Sequence, residues 1–142
     1  MRRIDVLMWA SAMVLLVVIG AAGAERSVWD GVYTEAQSAR GEAVYAEVCA
    51  SCHAPELTGS EVVPALVGDT FLTNWSGLTA GDLFDRIRIS MPQEKPGSLT
   101  NQQYADVLAF IFNRNRFPAG QDDLTDDVER LALIRIDPNK PF

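Results

Sequence analysis

The most constraining feature of this chain is the five-residue run Cys49-Ala50-Ser51-Cys52-His53. The run contains both cysteines and the only histidine of the 142 residues. C-x-x-C-H is the pattern for covalent attachment of a c-type haem. The two thiols tether the porphyrin through its vinyl groups, and the histidine that follows binds the iron through its imidazole. The sequence therefore predicts one covalently bound haem c with its iron, attached at Cys49 and Cys52 and ligated by His53.

Three other interpretations of this run explain it less well. A redox dithiol of the thioredoxin kind would lie close to a strand, but no strand is predicted near Cys49. A structural zinc ion needs four ligands, and two cysteines and one histidine leave the fourth to a carboxylate. A disulfide between Cys49 and Cys52 would close a very small loop and would leave His53 without a role.

The N-terminus predicts export from the cytoplasm. Arg2 and Arg3 precede a nearly unbroken apolar run over residues 6–19, and small residues then fit a signal-peptide cleavage site after Ala24. We therefore predict a signal peptide over residues 1–24 and a periplasmic location for the rest. The alternative is a retained membrane anchor, because residues 6–24 are just long enough to cross a bilayer.

The length that remains suits one domain, with a core over about 31–117 and a C-terminal extension over 118–142. The whole chain carries a net charge of −7. Loss of residues 1–24, which hold two arginines and one aspartate, makes the remainder more acidic still. This charge disfavours nucleic acid as a partner, because phosphates would repel it. A neutral or basic docking surface on a protein partner is more consistent with it.

Start signals for three helices predict an all-α fold. Thr34 and Gln37 fit a capping box, and two further signals follow the same spacing, Thr79 to Asp82 and Thr100 to Gln103. The predicted helices run over residues 34–50, 79–89 and 100–113. Segments rich in proline and glycine, 54–78 and 92–99, are predicted to be loops around the haem. We also expect a short helix near residues 125–131 and an extended segment at 134–136.

Gly41 lies inside the first predicted helix. A glycine there costs about 1 kcal/mol of helix propensity, so a packing reason is expected. We predict that the third helix, which is rich in aromatic residues, crosses the first helix closely at Gly41. The alternative is an exposed glycine without a packing role.

Met91 is the only methionine outside the predicted signal peptide. It stands immediately before Pro92, and a residue before proline is biased towards an extended backbone, so the second helix should end there. A His/Met pair is the axial ligand set of cytochromes c, and we predict that Met91 is the second iron ligand. The alternatives are that Met91 fills the core, with the sixth position open or taken by Lys95.

Four further residues are candidates for the surroundings of the haem. The Pro64 carbonyl is a candidate to accept a hydrogen bond from the second ring nitrogen of His53. Leu66 is a candidate to pack on the porphyrin, and Trp75 and Arg86 are candidates to reach a propionate. Ordinary core packing or solvation explains Leu66, Trp75 and Arg86 equally well.

Taken together, these residues resemble the class I c-type cytochromes. The resemblance covers about residues 31–117 and rests on the haem motif after a helix with Gly41 and Tyr45, the loop Val63-Pro64-Ala65-Leu66, Met91-Pro92, and an aromatic last helix. It implies the cytochrome c fold, thioether bonds at both cysteines, His53 and Met91 as axial ligands, and the Pro64 carbonyl as the group that steadies His53. The acidity and the long C-terminal tail depart from the familiar small cytochromes.

The predicted function is electron transfer without catalysis. The chain would carry one electron from a dehydrogenase or respiratory complex to an acceptor, such as a cytochrome oxidase or another carrier. Residues 91–120 resemble bacterial monohaem cytochromes that accompany periplasmic dehydrogenases, quinoprotein ones among them. Two alternatives are a non-catalytic cytochrome subunit of such a dehydrogenase, and a haem sensor or peroxidase-like protein with an open sixth position.

Overall fold

Six helices and one small sheet form the part of the chain that the computed structural model describes, residues 25–140. The helices are α1 (Glu35–Val48), α2 (Ala50–His53), α3 (Gly68–Trp75), α4 (Ala80–Ser90), α5 (Asn101–Arg114) and α6 (Val128–Leu131), and a 3₁₀-helix (Val28–Asp30) precedes them. The strands β1 (Arg26–Ser27) and β2 (Ile134–Arg135) pair in parallel. The predicted signal peptide lies outside the described residues. No helix within residues 25–140 has the length and apolar character needed to cross a membrane.

The three main helices begin where the sequence predicts. The threonine hydroxyls at their N-termini accept hydrogen bonds from backbone amides three residues on, for α1, α4 and α5 alike. The boxes are complete at α4 and α5, where Asp82 and Gln103 bond back to the backbone amide of the capping threonine. The capping box predicted at α1 is incomplete. Gln37 does not bond back to the Thr34 amide, because its side chain pairs with another part of the chain.

Gly41 is the point where α1 and α5 cross, as predicted. A Cβ at this position would lie 1.8 Å from the carbonyl oxygen of Asp106 and 3.0 Å from Cβ of Phe110. One turn on, the Tyr45 ring packs on Phe110 with 5.3 Å between centroids. Only glycine permits this approach, so the crossing fixes the direction in which α1 delivers the haem motif.

The segment 54–78 is not the continuous loop that its glycines and prolines predict, because α3 forms within it. Phe71 is fully buried, and Leu72 and Trp75 pack against the same core. Apolar residues one and four positions after Phe71 form one face of a helix, and burial of that face outweighs the breaking effect of the flanking glycines. Residues 92–99 contain no helix or strand, as expected.

The C-terminal tail folds back on the N-terminal segment. Gln37 is fully buried and pairs twice with the backbone of Leu124: its Nε2 donates to the carbonyl at 2.9 Å, and its Oε1 accepts from the amide at 2.5 Å. Gly120 lies against Gly31 so closely that a Cβ on Gly120 would be 2.0 Å from the Gly31 oxygen. The backbone of the tail therefore packs against the start of α1.

Further along, the tail reaches α4. α6 and β2 lie close to the short helix and the extended segment predicted from sequence, but the pairing of β2 with β1 was not predicted. At the contact between α4 and α6, a Cβ on Gly81 would lie 2.9 Å from the backbone nitrogen of Ala132. The tail thus contacts α1 and α4, the two helices whose C-terminal ends carry the predicted haem residues.

Candidate haem site

The two thiols of the motif lie at the junction of α1 and α2. The backbone turns at Cys49, which is half-buried, while Cys52 is exposed one turn later. Both are free cysteines, so the disulfide alternative is not the arrangement in this structure. Burial, and then the neighbouring Cys52, raise the pKa of the Cys49 thiol to about 11. Two unpaired thiols next to the histidine form the donor set that covalent haem attachment needs.

The His53 side chain is buried and oriented by a single backbone group. Its Nδ1 lies 3.0 Å from the carbonyl oxygen of Pro64, the contact that the sequence predicted. A carbonyl can only accept, so Nδ1 is the donor in this bond, and Nε2 is the ring nitrogen left to bind a metal. The backbone is fixed too, since the Gly59 amide donates to the His53 carbonyl at 2.9 Å.

Tyr45 holds the segment that follows the motif, and its role is not evident from the sequence. Its hydroxyl donates to the carbonyl of Ala54, the residue after His53, at 2.7 Å. Burial raises the pKa of Tyr45 to about 12, with a smaller contribution from the charge of Cys49. A tyrosine one turn before the motif, on the buried face of its helix, is the signal that could have suggested this contact.

Met91 caps α4 in the extended conformation expected of a residue before proline, with φ −125° and ψ 152°. Its amide donates to the Ile87 carbonyl at 2.8 Å, which completes the last turn of the helix. Its own carbonyl accepts from the Tyr104 hydroxyl of α5, also at 2.8 Å. The side chain is half-buried. The sequence gives no sign of the bond to Tyr104.

The remaining candidates are placed less directly. Leu66 and Trp75 are half-buried and pack against the core, while Arg86 is exposed on α4 and Lys95 in the loop after Met91. The Leu66 backbone is held by Asn115 at the end of α5, whose Nδ2 donates to its carbonyl at 2.9 Å. The bond from Asn115 to Leu66 is a second contact that the sequence does not reveal.

These groups fit a c-type haem. The structure supplies two unpaired thiols, an imidazole whose Nε2 is not used by the bond to Pro64, and a methionine at the end of a helix. Within residues 25–140 there is no cluster of three or more histidine, cysteine, aspartate or glutamate side chains able to hold a metal ion by themselves. Two free thiols followed by a histidine are the groups that covalent attachment of an iron porphyrin uses.

Comparison with known proteins agrees with a c-type haem. The family model described as "Cytochrome C oxidase, cbb3-type, subunit III" matches residues 36–111, more than half of the chain. The chain is thus a c-type cytochrome domain and belongs to this family. Membership implies a covalently bound haem c and a role in electron transfer.

A solved structure shows the same fold. The crystal structure of the sulfane dehydrogenase SoxCD from Paracoccus pantotrophus is similar to this chain with a TM-score of 0.50 and 22% sequence identity. The similarity covers 76% of this chain and 61% of that chain, so this chain spans less than two thirds of its length. No curated protein matches the sequence. The prediction of an all-α cytochrome c fold is confirmed, with the two-stranded sheet as an addition.

Proposed function

We propose that this chain is a periplasmic carrier of single electrons with one haem c. Cys49 and Cys52 attach the porphyrin, and His53 and Met91 are the axial ligands of its iron. The observation that carries the proposal is the 3.0 Å contact between His53 Nδ1 and the Pro64 carbonyl. That contact leaves Nε2 as the only metal-binding atom of a buried imidazole, directly beside two unpaired thiols.

The haem, when bound, supplies one-electron redox chemistry. The work of the polypeptide is to hold and tune it. The Pro64 carbonyl would fix the tautomer and the orientation of the His53 imidazole and raise its basicity as a ligand. Met91, on the other side, closes the position that an outside molecule would need. No residue has to act as acid, base or nucleophile in this function.

The charge and the exposed apolar residues indicate how a partner docks. Val62 is 90% exposed two residues before Pro64, and Ile89 is 65% exposed two residues before Met91. An acidic chain of net charge −7 favours a neutral or basic partner surface. We propose a periplasmic dehydrogenase, such as a quinoprotein, or a respiratory complex as the electron donor, and an oxidase or another carrier as the acceptor.

A second candidate is a non-catalytic cytochrome subunit of a dehydrogenase complex. It is favoured by the fold that this chain shares with the structure of the sulfane dehydrogenase SoxCD. Co-purification of the native protein with a catalytic subunit, stable through size-exclusion chromatography, would distinguish a subunit from a free carrier. A free carrier elutes at the mass of the single chain.

The visible spectrum of the exported protein tests the haem assignment. We expect a coloured protein whose pigment stays with the polypeptide in acidified acetone, because thioether bonds resist that extraction. The oxidised protein should show a weak absorption band at about 695 nm, which marks sulfur bound to iron. A colourless product, or pigment that extracts, would contradict the proposal.

Met91→Ala tests the second ligand, and Ile89→Ala, an exposed apolar change on the same helix, is its control. The absorption band that marks sulfur bound to iron should disappear in Met91→Ala and persist in Ile89→Ala. The reduction potential should fall by on the order of 0.1 V or more in the Met91 variant alone. An unchanged spectrum would identify another ligand. Carbon monoxide binding to the reduced wild-type protein would favour an open sixth position.

A further inference from the structure

All three tyrosines of the chain are buried and donate to backbone carbonyls. Tyr33 donates to Phe117 at 2.6 Å, Tyr45 to Ala54 at 2.7 Å, and Tyr104 to Met91 at 2.8 Å. The first bond holds the tail and the second holds the segment after His53. The third is the only one of the three that acts directly on a predicted iron ligand.

The segment after Met91 is largely exposed until Leu99, which packs against the core. Residues 93–98 are all exposed. The Lys95 amide donates to the Pro92 carbonyl at 2.9 Å, a bond within the loop that does not tie it to the rest of the protein. At the far end, the Leu99 amide nitrogen lies 3.5 Å from the same Tyr104 hydroxyl oxygen. One buried hydroxyl thus contacts both ends of the segment 91–99.

The position of this hydroxyl is set by helix packing. Tyr104 is 1% exposed on α5, and its ring meets Phe84 of α4 edge to face, with 6.3 Å between centroids. Since α4 ends at Met91, the ring packs on the same helix whose last carbonyl its hydroxyl binds. The phenol therefore cannot follow the loop if the loop moves away.

We propose that Tyr104 is a positioning residue that keeps Met91 on the iron and sets how readily an outside ligand replaces it. The proposal rests on the axial role of Met91 proposed above. Withdrawal of the Met91 backbone would leave a buried hydroxyl without an acceptor, which is unfavourable. The population of molecules with Met91 displaced is therefore kept low by this bond, and any ligand that needs the vacated position binds correspondingly weakly.

Imidazole is the probe, because it binds ferric haem only after Met91 has left. We expect the apparent affinity of the oxidised holoprotein for imidazole, at a fixed pH, to rise about fivefold to tenfold in Tyr104→Phe, as expected for loss of one hydrogen bond. The matched control is Tyr33→Phe, which deletes the same group from an equally buried ring and should change the affinity less than about twofold. Equal affinities in the two variants would overturn the proposal.

Met91→Ala separates failure of this proposal from failure of the axial assignment. If Met91→Ala binds imidazole no more tightly than the wild type, Met91 is not the ligand and both proposals fall. If Met91→Ala binds it much more tightly while Tyr104→Phe behaves like Tyr33→Phe, only the role of Tyr104 is wrong.

A measurement on the wild-type protein covers the case in which Tyr104→Phe does not fold. Hydrogen exchange at the Leu99 amide should accelerate by about tenfold when saturating imidazole displaces Met91, because the segment 91–99 then leaves Tyr104. The Gly59 amide, which bonds the His53 carbonyl, is the internal control and should not change. Unchanged exchange at Leu99 would show that Met91 departs without breaking the contact, and would overturn the proposal.

Discussion

The His53 side and the Met91 side of the candidate site differ in how firmly the chain holds them. His53 is buried, its ring is bonded to Pro64, and its carbonyl accepts from Gly59. The next residue is held by Tyr45. Met91 is half-buried, and the exposed loop that follows it is tied to the core through the hydroxyl of Tyr104.

This difference indicates which of the two proposed iron ligands the fold holds more firmly. On the His53 side, one ring bond, two hydrogen bonds to backbone carbonyls and two thiols all act on residues 49–54, so removal of one leaves the others. On the Met91 side, the bond from Tyr104 is joined by one backbone bond, from the Met91 amide to the Ile87 carbonyl. We expect the imidazole side to be permanent and the thioether side to be the one that opens.

The largest effect is expected from His53→Ala. Without the imidazole the porphyrin loses both its ligand and the group that orients the motif, so the haem content per polypeptide should fall by on the order of tenfold. Met91→Ala should keep its haem content. Covalent haem staining against total protein measures both. Equal haem content in the two variants would contradict the proposed difference between the sides.

Gly41→Ala is expected to weaken both sides together, because α1 carries Tyr45 and α5 carries Tyr104. The added Cβ would stand 1.8 Å from the Asp106 carbonyl oxygen, so the helices must separate. The free energy of unfolding should fall by about 3 kcal/mol. Chemical denaturation of the holoprotein measures this, with Glu42→Ala at the next, exposed position as control. A stable Gly41→Ala variant would show that the crossing is not required.

Tyr45→Phe tests whether the two sides are independent, because it deletes a hydroxyl on the His53 side. The unfolding free energy should fall by about 1 kcal/mol. The apparent affinity for imidazole should stay within about twofold of the wild type, since Met91 is untouched. A rise as large as that expected for Tyr104→Phe would mean that the two sides are not independent.

The smallest effect is expected at Asp123, which belongs to neither side. Hydrogen bonds from Thr34 and then from Arg40 lower the pKa of this tail carboxyl below its ordinary value of 3.8. A depressed pKa gives stability that is present above the ordinary value and is lost as the pH falls through the folded-state value. Asp123 is exposed, so the contribution is small and screened by salt.

Asp123→Asn should therefore flatten the loss of stability between neutral and acid pH, and Asp122→Asn should not. Thermal unfolding in a pH series at low ionic strength measures the slope. The imidazole affinity of the Asp123 variant should equal that of the wild type. An identical slope in both asparagine variants would show that the bonds to Thr34 and Arg40 contribute no stability.

Much of the candidate site could be predicted because its signals are local. The contact between His53 and Pro64 joins residues eleven positions apart, and the extended backbone of Met91 follows from its neighbour Pro92. The tyrosine contacts could not be predicted in the same way. Every residue has a backbone carbonyl that can accept from a tyrosine hydroxyl, so the sequence does not indicate which residue accepts.

Local sequence specifies the haem motif, the starts of α1, α4 and α5, and the glycine that lets two helices cross. These depend on residues within one or two helical turns, or on a side chain that must be absent. The folded chain was needed to show that α3 forms, that Gln37 binds the tail 87 positions away, and that Tyr104 holds Met91. Such contacts depend on which surfaces burial brings together, and that is fixed by the packing of the whole chain.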